Sequence, residues 1–143
     1  MPGLAHLPRQ RVQLTTLFGS SPLSRKLSPW AVMRTPIRTE VLQHILHVVR
    51  TARPLVEKIQ CHDREHGRQI RNALNSVALN TAEAFGSTGG TNRARLESAL
   101  GSANESTLGL QVAAAWGYVT EAETSTAVSE LERLAARLYG LAR

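Results

Sequence analysis

The stretch 40–60, EVLQHILHVVRTARPLVEKIQ, decides the fold. Its apolar residues Val41, Leu42, Ile45, Val48, Val49, Ala52, Leu55, Val56 and Ile59 recur at intervals of three and four, the period of one buried helical face. A first helix is expected from about Arg38 to Gln60, with Thr39 as its cap. Pro54 lies inside it, removes one backbone donor, and is expected to kink the helix or to split it if the preceding turn unwinds.

The same period continues downstream. After a polar connection at Cys61 to Asp63, a second helix carries Ile70, Ala73, Leu74, Val77, Thr81 and Ala84 and stops at Phe85 and Gly86. Ser87 to Gly90 reads as a loop, with Thr91 or Asn92 capping a third helix striped by Leu96, Leu100, Ala103, Thr107, Leu110 and Ala114. Gly101, Ser102, Gly109 and Ala113 to Ala115 make that helix small-sided, so that a neighbour is able to approach closely. Gly117 ends it. Thr120 and Glu123 have the spacing of a capping box before a fourth helix with Val128, Leu131, Leu134, Ala135, Leu138 and Leu141. No strand pattern competes. Four helices of roughly twenty residues, each about 30 Å long and joined by short loops, make an all-α, antiparallel up-down-up-down four-helix bundle.

Composition and charge narrow the function. The chain has 143 residues, one domain's length, with 42% hydrophobic and 20% charged residues, only 4% aromatics and a formal charge of +6. The charge is unevenly placed. Arg9, Arg11, Arg25, Lys26, Arg34 and Arg38 stand among the first 39 residues without a single acid, whereas residues 40–143 hold eleven charges of each sign. That leader also has five of the six prolines, so the expected division is a basic, disordered leader over 1–36 and a bundle over 37–143. The leader's composition fits a nucleic-acid arm, a transit-like segment or an untranslated extension, and Met33 is a candidate start. No apolar run reaches the eighteen or so residues that span a bilayer, and the one cysteine, Cys61, fits a reducing compartment. A soluble cytoplasmic protein without membrane contact is expected. Its bundle has few large side chains and so a thin core, which association into an oligomer would supplement.

Two polar pairs interrupt the apolar pattern. Asn80 and Glu83 lie three apart on helix 2, and Ser102 and Glu105 three apart on helix 3, so each pair shares a face. They are expected to hydrogen-bond between helices inside the bundle and to fix its register rather than to act as catalytic carboxylates. Asn80-Thr81-Ala82-Glu83, the glycine-bearing loop after it, Ala99-Leu100-Gly101-Ser102-Ala103-Asn104-Glu105 and Gly117-Tyr118-Val119 together resemble the signature of the four-helix-bundle proteins encoded in intervening sequences of bacterial 23S ribosomal RNA genes. The likeness covers about residues 40–143. Ala84-Phe85 departs from the family's glycine and aromatic, and Arg95-Leu96 from its Phe-Leu pair. The resemblance implies a non-enzymatic homopentamer related to the accessory variability protein of diversity-generating retroelements, which binds a reverse transcriptase and nucleic acid.

Candidate binding residues are cationic. Arg64, Arg68 and Arg71 recur at four and three on helix 2, while Arg50, Arg53 and Lys58 lie with His47 along helix 1. Guanidinium groups grip phosphate oxygens through paired hydrogen bonds, so these residues are the expected contacts to an RNA or DNA backbone. Trp116, Tyr118 and Tyr139 are scattered in sequence, which points to readout of backbone or shape rather than base stacking. Cys61-His62-Asp63-Arg64-Glu65-His66 is the densest set of metal-ligand types, but it lacks further ligands and has Arg64 in its midst; an exposed polar turn is expected, with no metal and no cofactor. Gly86 to Gly90 lacks the lysine of a nucleotide-binding loop, and Ser76, Ser98 and Ser102 have no paired histidine nearby, so no catalytic residue is assigned. The competing expectation is a scaffold that only self-assembles or contacts proteins.

Overall fold

The computed structural model describes residues 36–143, and the expectations for the leader up to Thr35 lie outside them. The described chain is four helices: α1 Pro36–His62, α2 Arg64–Gly86, α3 Gly89–Ala115 and α4 Glu121–Ala142. Each packs on its chain neighbours and α1 also meets α4, closing a four-cornered bundle. Cross-links fix the directions. Arg38 at the start of α1 reaches Phe85 at the end of α2, and Lys58 near the end of α1 meets Glu123 at the start of α4. Adjacent helices therefore run antiparallel, as the short connections require.

Local chemistry explains where each helix begins and ends. Pro36, not Thr39, opens α1, because a proline in the first turn forgoes a donor that has no intrahelical partner there. Thr39 is inside the first turn. Arg38, counted with the leader by its charge, belongs to the bundle: its Nη1 donates to the Phe85 carbonyl at 2.9 Å and its guanidinium lies 5.1 Å from that ring's centre. Pro54 does not split α1, which is helical to His62; the carbonyl it orphans is on Arg50, which faces solvent.

The turn between α1 and α2 is a single residue. Asp63 accepts from the His66 N–H at 2.9 Å and caps α2, while its own N–H donates to Ile59 and its carbonyl accepts from Gly67. At the far end of α2 three terminal carbonyls are satisfied by side chains: Ser87 Oγ donates to Glu83, Asn92 Nδ2 to Ala84 and Arg38 to Phe85. Asn92 therefore stitches the end of α2 rather than capping α3, which starts at Gly89 with φ +61°. Thr88 takes the cap position without a side-chain hydrogen bond, and the expected loop shrinks to Ser87 and Thr88.

Helix α3 ends in a Schellman turn. Gly117, at φ +78°, lets its N–H reach the Ala114 carbonyl while the Tyr118 N–H reaches Ala113. The Thr120–Glu123 capping box forms as expected. Glu123 also accepts from Lys58, and that bond, with those from Thr120, holds its carboxyl at about 2. Because this lies below the ordinary carboxylate value, the tie is complete above about pH 4.5 and fades as pH falls towards 2.

Val41, Ile45, Val48, Ile59, Ile70, Val77, Leu131, Leu134 and Leu138 form the core with Phe85, the only aromatic buried among the described residues. The expected stripe of α2 points inward, as does that of α1 apart from the half-buried Leu42 and Val49; on α4 Leu131, Leu134 and Leu138 are buried, but Val128, Ala135 and Leu141 are half-buried and Thr124, Ala127 and Ala142 take inward positions beside them. The stripe of α3 is rotated: Leu96, Ala99, Ala103, Ser106, Leu110 and Ala113 are buried, while Leu100, Thr107 and Ala114 lie on its flank. Apolar residues on nearly every side of α3 leave its own sequence without a preferred face, so its neighbours decide. The buried hydroxyls of Thr81, Ser106 and Thr124 donate to carbonyls of their own helices, which removes the cost of their burial. Among the described residues no helix is long and apolar enough to cross a membrane.

Candidate nucleic-acid interface

Most charges of the bundle are already paired, and the pattern of pairing defines the site. Along the seam of α1 and α4, Arg137 meets Glu40 at 3.2 Å, Lys58 meets Glu123 at 2.7 Å, and His44 Nε2 meets Glu130 at 2.9 Å. Between α2 and α3, Arg95 meets Glu83 at 2.8 Å. Arg53 pairs with Glu57 one turn on, and Arg68 pairs with Glu65 through two hydrogen bonds. Each partner's hydrogen bond favours the charged form, raising the pKa of Arg68 and Arg53 and lowering that of Glu65.

Arg50, Arg64 and Arg71 are exposed and have no ion-pair partner among the described residues. All three are on α1 or α2. The unpaired exposed glutamates Glu105, Glu121 and Glu132 are on α3 and α4. Arg143, which follows α4 and lies 4.6 Å from the centre of the Tyr139 ring, is the other exposed arginine without an ion pair among the described residues, so three of these four cations share one pair of helices. Between α1 and α2 runs a groove of about 290 Å³, walled by Arg53, Glu57 and Gln60 on one side and Arg71 and Asn75 on the other, over Val49, Val56 and Leu74. Of the six cations expected to touch phosphate, Arg53 and Arg71 thus face one groove, Arg50 and Arg64 stand exposed on the same two helices, Arg68 is held by Glu65, and Lys58 is turned to α4. Exposed pairs such as Arg53–Glu57 contribute little, so a phosphate is able to displace the carboxylate.

The polar pairs are placed differently from expectation. Ser102 joins α3 to α2, its hydroxyl donating to Ser76 Oγ at 3.0 Å; Asn80 Nδ2 donates to the same oxygen at 3.0 Å within α2, and its Oδ1 accepts from Arg95 of α3 at 3.3 Å. Glu83 is not interior. Its side chain is 53% exposed and it reaches α3 through Arg95 at the surface. Glu105 is exposed and unpaired among the described residues, because its position on α3 turns past the edge of the α2 contact. Replacing Glu83 with Ala should therefore lower stability by less than about 1 kcal/mol, and Glu105→Ala should change it by less than about 0.5 kcal/mol. Thermal melts followed by circular dichroism check both; a loss of several kcal/mol would return these acids to the interior.

Sequence spacing missed one grouping altogether. His62 ends α1 and stacks on Tyr118 from the α3–α4 connection, ring centres 5.5 Å apart and planes 5° from parallel. His66, near the start of α2, meets the same ring edge-on at 6.4 Å and is held by a 2.8 Å bond between its Nε2 and the Gly109 carbonyl. His62 and His66 thus lie on different helices and are committed to these contacts. No group of three or more metal-ligand side chains converges among the described residues. The only sequence signal for this cluster is Gly117, whose turn carries Tyr118 back over the bundle end.

These features describe a small all-α bundle with one cationic pair of helices. The family model described as 23S rRNA-intervening sequence protein matches residues 39–140, and the chain belongs to that family. No curated protein and no solved structure matches the chain.

Proposed function

We propose that the protein is a non-enzymatic, homo-oligomeric bundle that binds the phosphate backbone of RNA or DNA through α1 and α2. One observation carries this reading: Arg50, Arg64 and Arg71 lack ion-pair partners among the described residues and share the two helices that wall the groove, whereas the unpaired glutamates are on the other two. Guanidinium pairs suit phosphate without reading sequence, so affinity rather than sequence preference is what this surface supplies. The five basic residues up to Arg34 add five further positive charges to each chain. Repetition in an oligomer multiplies that charge; the resemblance described above makes that oligomer a pentamer and extends the proposal to an accessory role beside a reverse transcriptase. A cytoplasmic location is part of the same proposal.

A second reading is a scaffold for self-assembly or protein contact. Leu79 and Leu108, 64% and 61% exposed on two adjacent helices, favour it, because a partner that covers them removes apolar surface from water and so gains free energy on contact.

The triple variant Arg50→Gln, Arg64→Gln, Arg71→Gln keeps helix propensity and removes the charge. At low salt it should bind a mixed-sequence RNA or DNA about tenfold or more weakly than the wild type in mobility-shift titrations, with the same oligomeric mass. Full retention of affinity would move the site to the leader. No binding by the wild type would leave the scaffold.

A further inference from the structure

We infer that the end of the bundle formed by His62, Arg64, Trp116 and Tyr118 is a stacking site for unpaired bases of a single-stranded nucleic acid. The inference rests on the backbone-binding reading and adds to it a base-recognising subsite. Three observations fall at that end. Trp116 is 71% exposed at the C-terminus of α3, the most exposed large apolar side chain among the described residues. Two residues on, half-buried Tyr118 is stacked against His62, and the His62 ring, exposed at the C-terminus of α1, is the accessible member of the stack. Arg64, one of the arginines without an ion pair among the described residues, begins α2 at the same end, and about 10 Å of helix separates it from Arg71 in the groove.

The platform is held in place before any ligand arrives. The Tyr118 N–H is bonded to the Ala113 carbonyl at 3.0 Å, Gly117 takes the positive φ the turn needs, and the next residue, Val119, is 3% exposed. His66 is fixed against the other edge of the tyrosine by its bond to Gly109. Aromatic rings held this way lose little freedom when a base stacks on them, and every base has a face to offer. Bases buried in a duplex do not offer that face. Charge completes the match: a strand whose phosphates follow Arg71 and Arg64 along α2 arrives at an aromatic end where its bases leave water. A protein partner would use the exposed tryptophan but has no need of the cation track beside it.

The test compares three probes of equal length on the full chain: a mixed single strand, the same backbone with abasic residues, and the duplex. The wild type should bind the single strand about tenfold more tightly than the abasic strand. Trp116→Ala should remove most of that difference while leaving abasic binding unchanged, and Trp116→Phe should restore it in part. Trp116 is exposed, so the alanine variant should fold; unchanged helical circular dichroism confirms that it does. Equal binding of single and abasic strands by the wild type overturns the inference and leaves backbone binding intact. A Trp116→Ala variant that alters only the oligomeric mass overturns it too, by making this end a contact between copies. Failure of the wild type to bind any probe at low salt overturns both readings.

Discussion

Gly67→Ala should lower the melting temperature, while Gly101→Ala should raise it. Both glycines are helical, and alanine gains about 1 kcal/mol in propensity at either position. The difference lies in what the added methyl meets. At Gly67 an ideal Cβ falls 2.3 Å from Gln60 Cγ and 3.0 Å from the Gln60 backbone nitrogen; the side chain is able to swing away, but the backbone is not. The one-residue turn at Asp63 forces α1 and α2 this close, so the overpacking cost of about 1 to 3 kcal/mol outweighs the propensity gain. At Gly101 nothing lies within 4 Å, and only the gain remains. With about 4 to 8 °C per kcal/mol for a domain of this size, the two melts should separate clearly and in opposite directions. Shifts of the same sign would mean that α1 and α2 do not cross at Gly67.

Leu134→Ala should have the larger effect, about 2 to 5 kcal/mol. Leu134 is wholly buried in α4 between Leu131 and Leu138, and the interior around it is largely leucine, valine and alanine. Small side chains pack with few rearrangements available, so the cavity left by three missing carbon atoms does not collapse fully. For a domain whose whole stability is of order 5 to 15 kcal/mol, that loss is a large share. Urea titration of the variant should give a lower midpoint at an unchanged slope. A midpoint within error of the wild type would contradict the placement of α4 in the core.

Helical period made the bundle legible because burial on one side of a helix leaves its mark every three or four residues, as Ile45, Val48 and Ala52 show on α1 and Leu131, Leu134 and Leu138 on α4. The fourth helix's cap was equally readable, since Thr120 and Glu123 are close in sequence and satisfy each other. What spacing leaves open is which side of a helix its neighbours choose. On α3, with apolar residues all round, the buried column is displaced from Leu100 and Thr107 to Ala99 and Ser106. The same rotation places Glu105 in solvent. Thr39 and Asn92 do not cap, because residues able to cap are common and the geometry at a helix start is set by the incoming chain; Asn92 instead serves α2, eight residues back.

For the cations, helical period shows which helices carry them but not how they pair. Arg68 and Arg71 are equivalent by spacing, yet Glu65 claims only the first, and Lys58 is drawn to α4 by Glu123 across 65 residues. The aromatic end was out of reach for the same reason: His62 and Tyr118 are 56 positions apart, and only the closed turn at Gly117 brings them together.

The central claim, that the cations of α1 and α2 bind nucleic-acid phosphates, is tested most directly by the salt dependence of binding in the wild type and in the triple Arg50, Arg64, Arg71 to Gln variant. Each neutralised phosphate releases condensed counterions, so log K should fall linearly with log salt with a slope of roughly −0.7 to −0.9 per contact. Loss of three contacts should flatten the wild-type slope by about 2 to 2.7 for single strands or duplex respectively. Parallel lines for the two proteins, or an affinity that ignores salt, would contradict it.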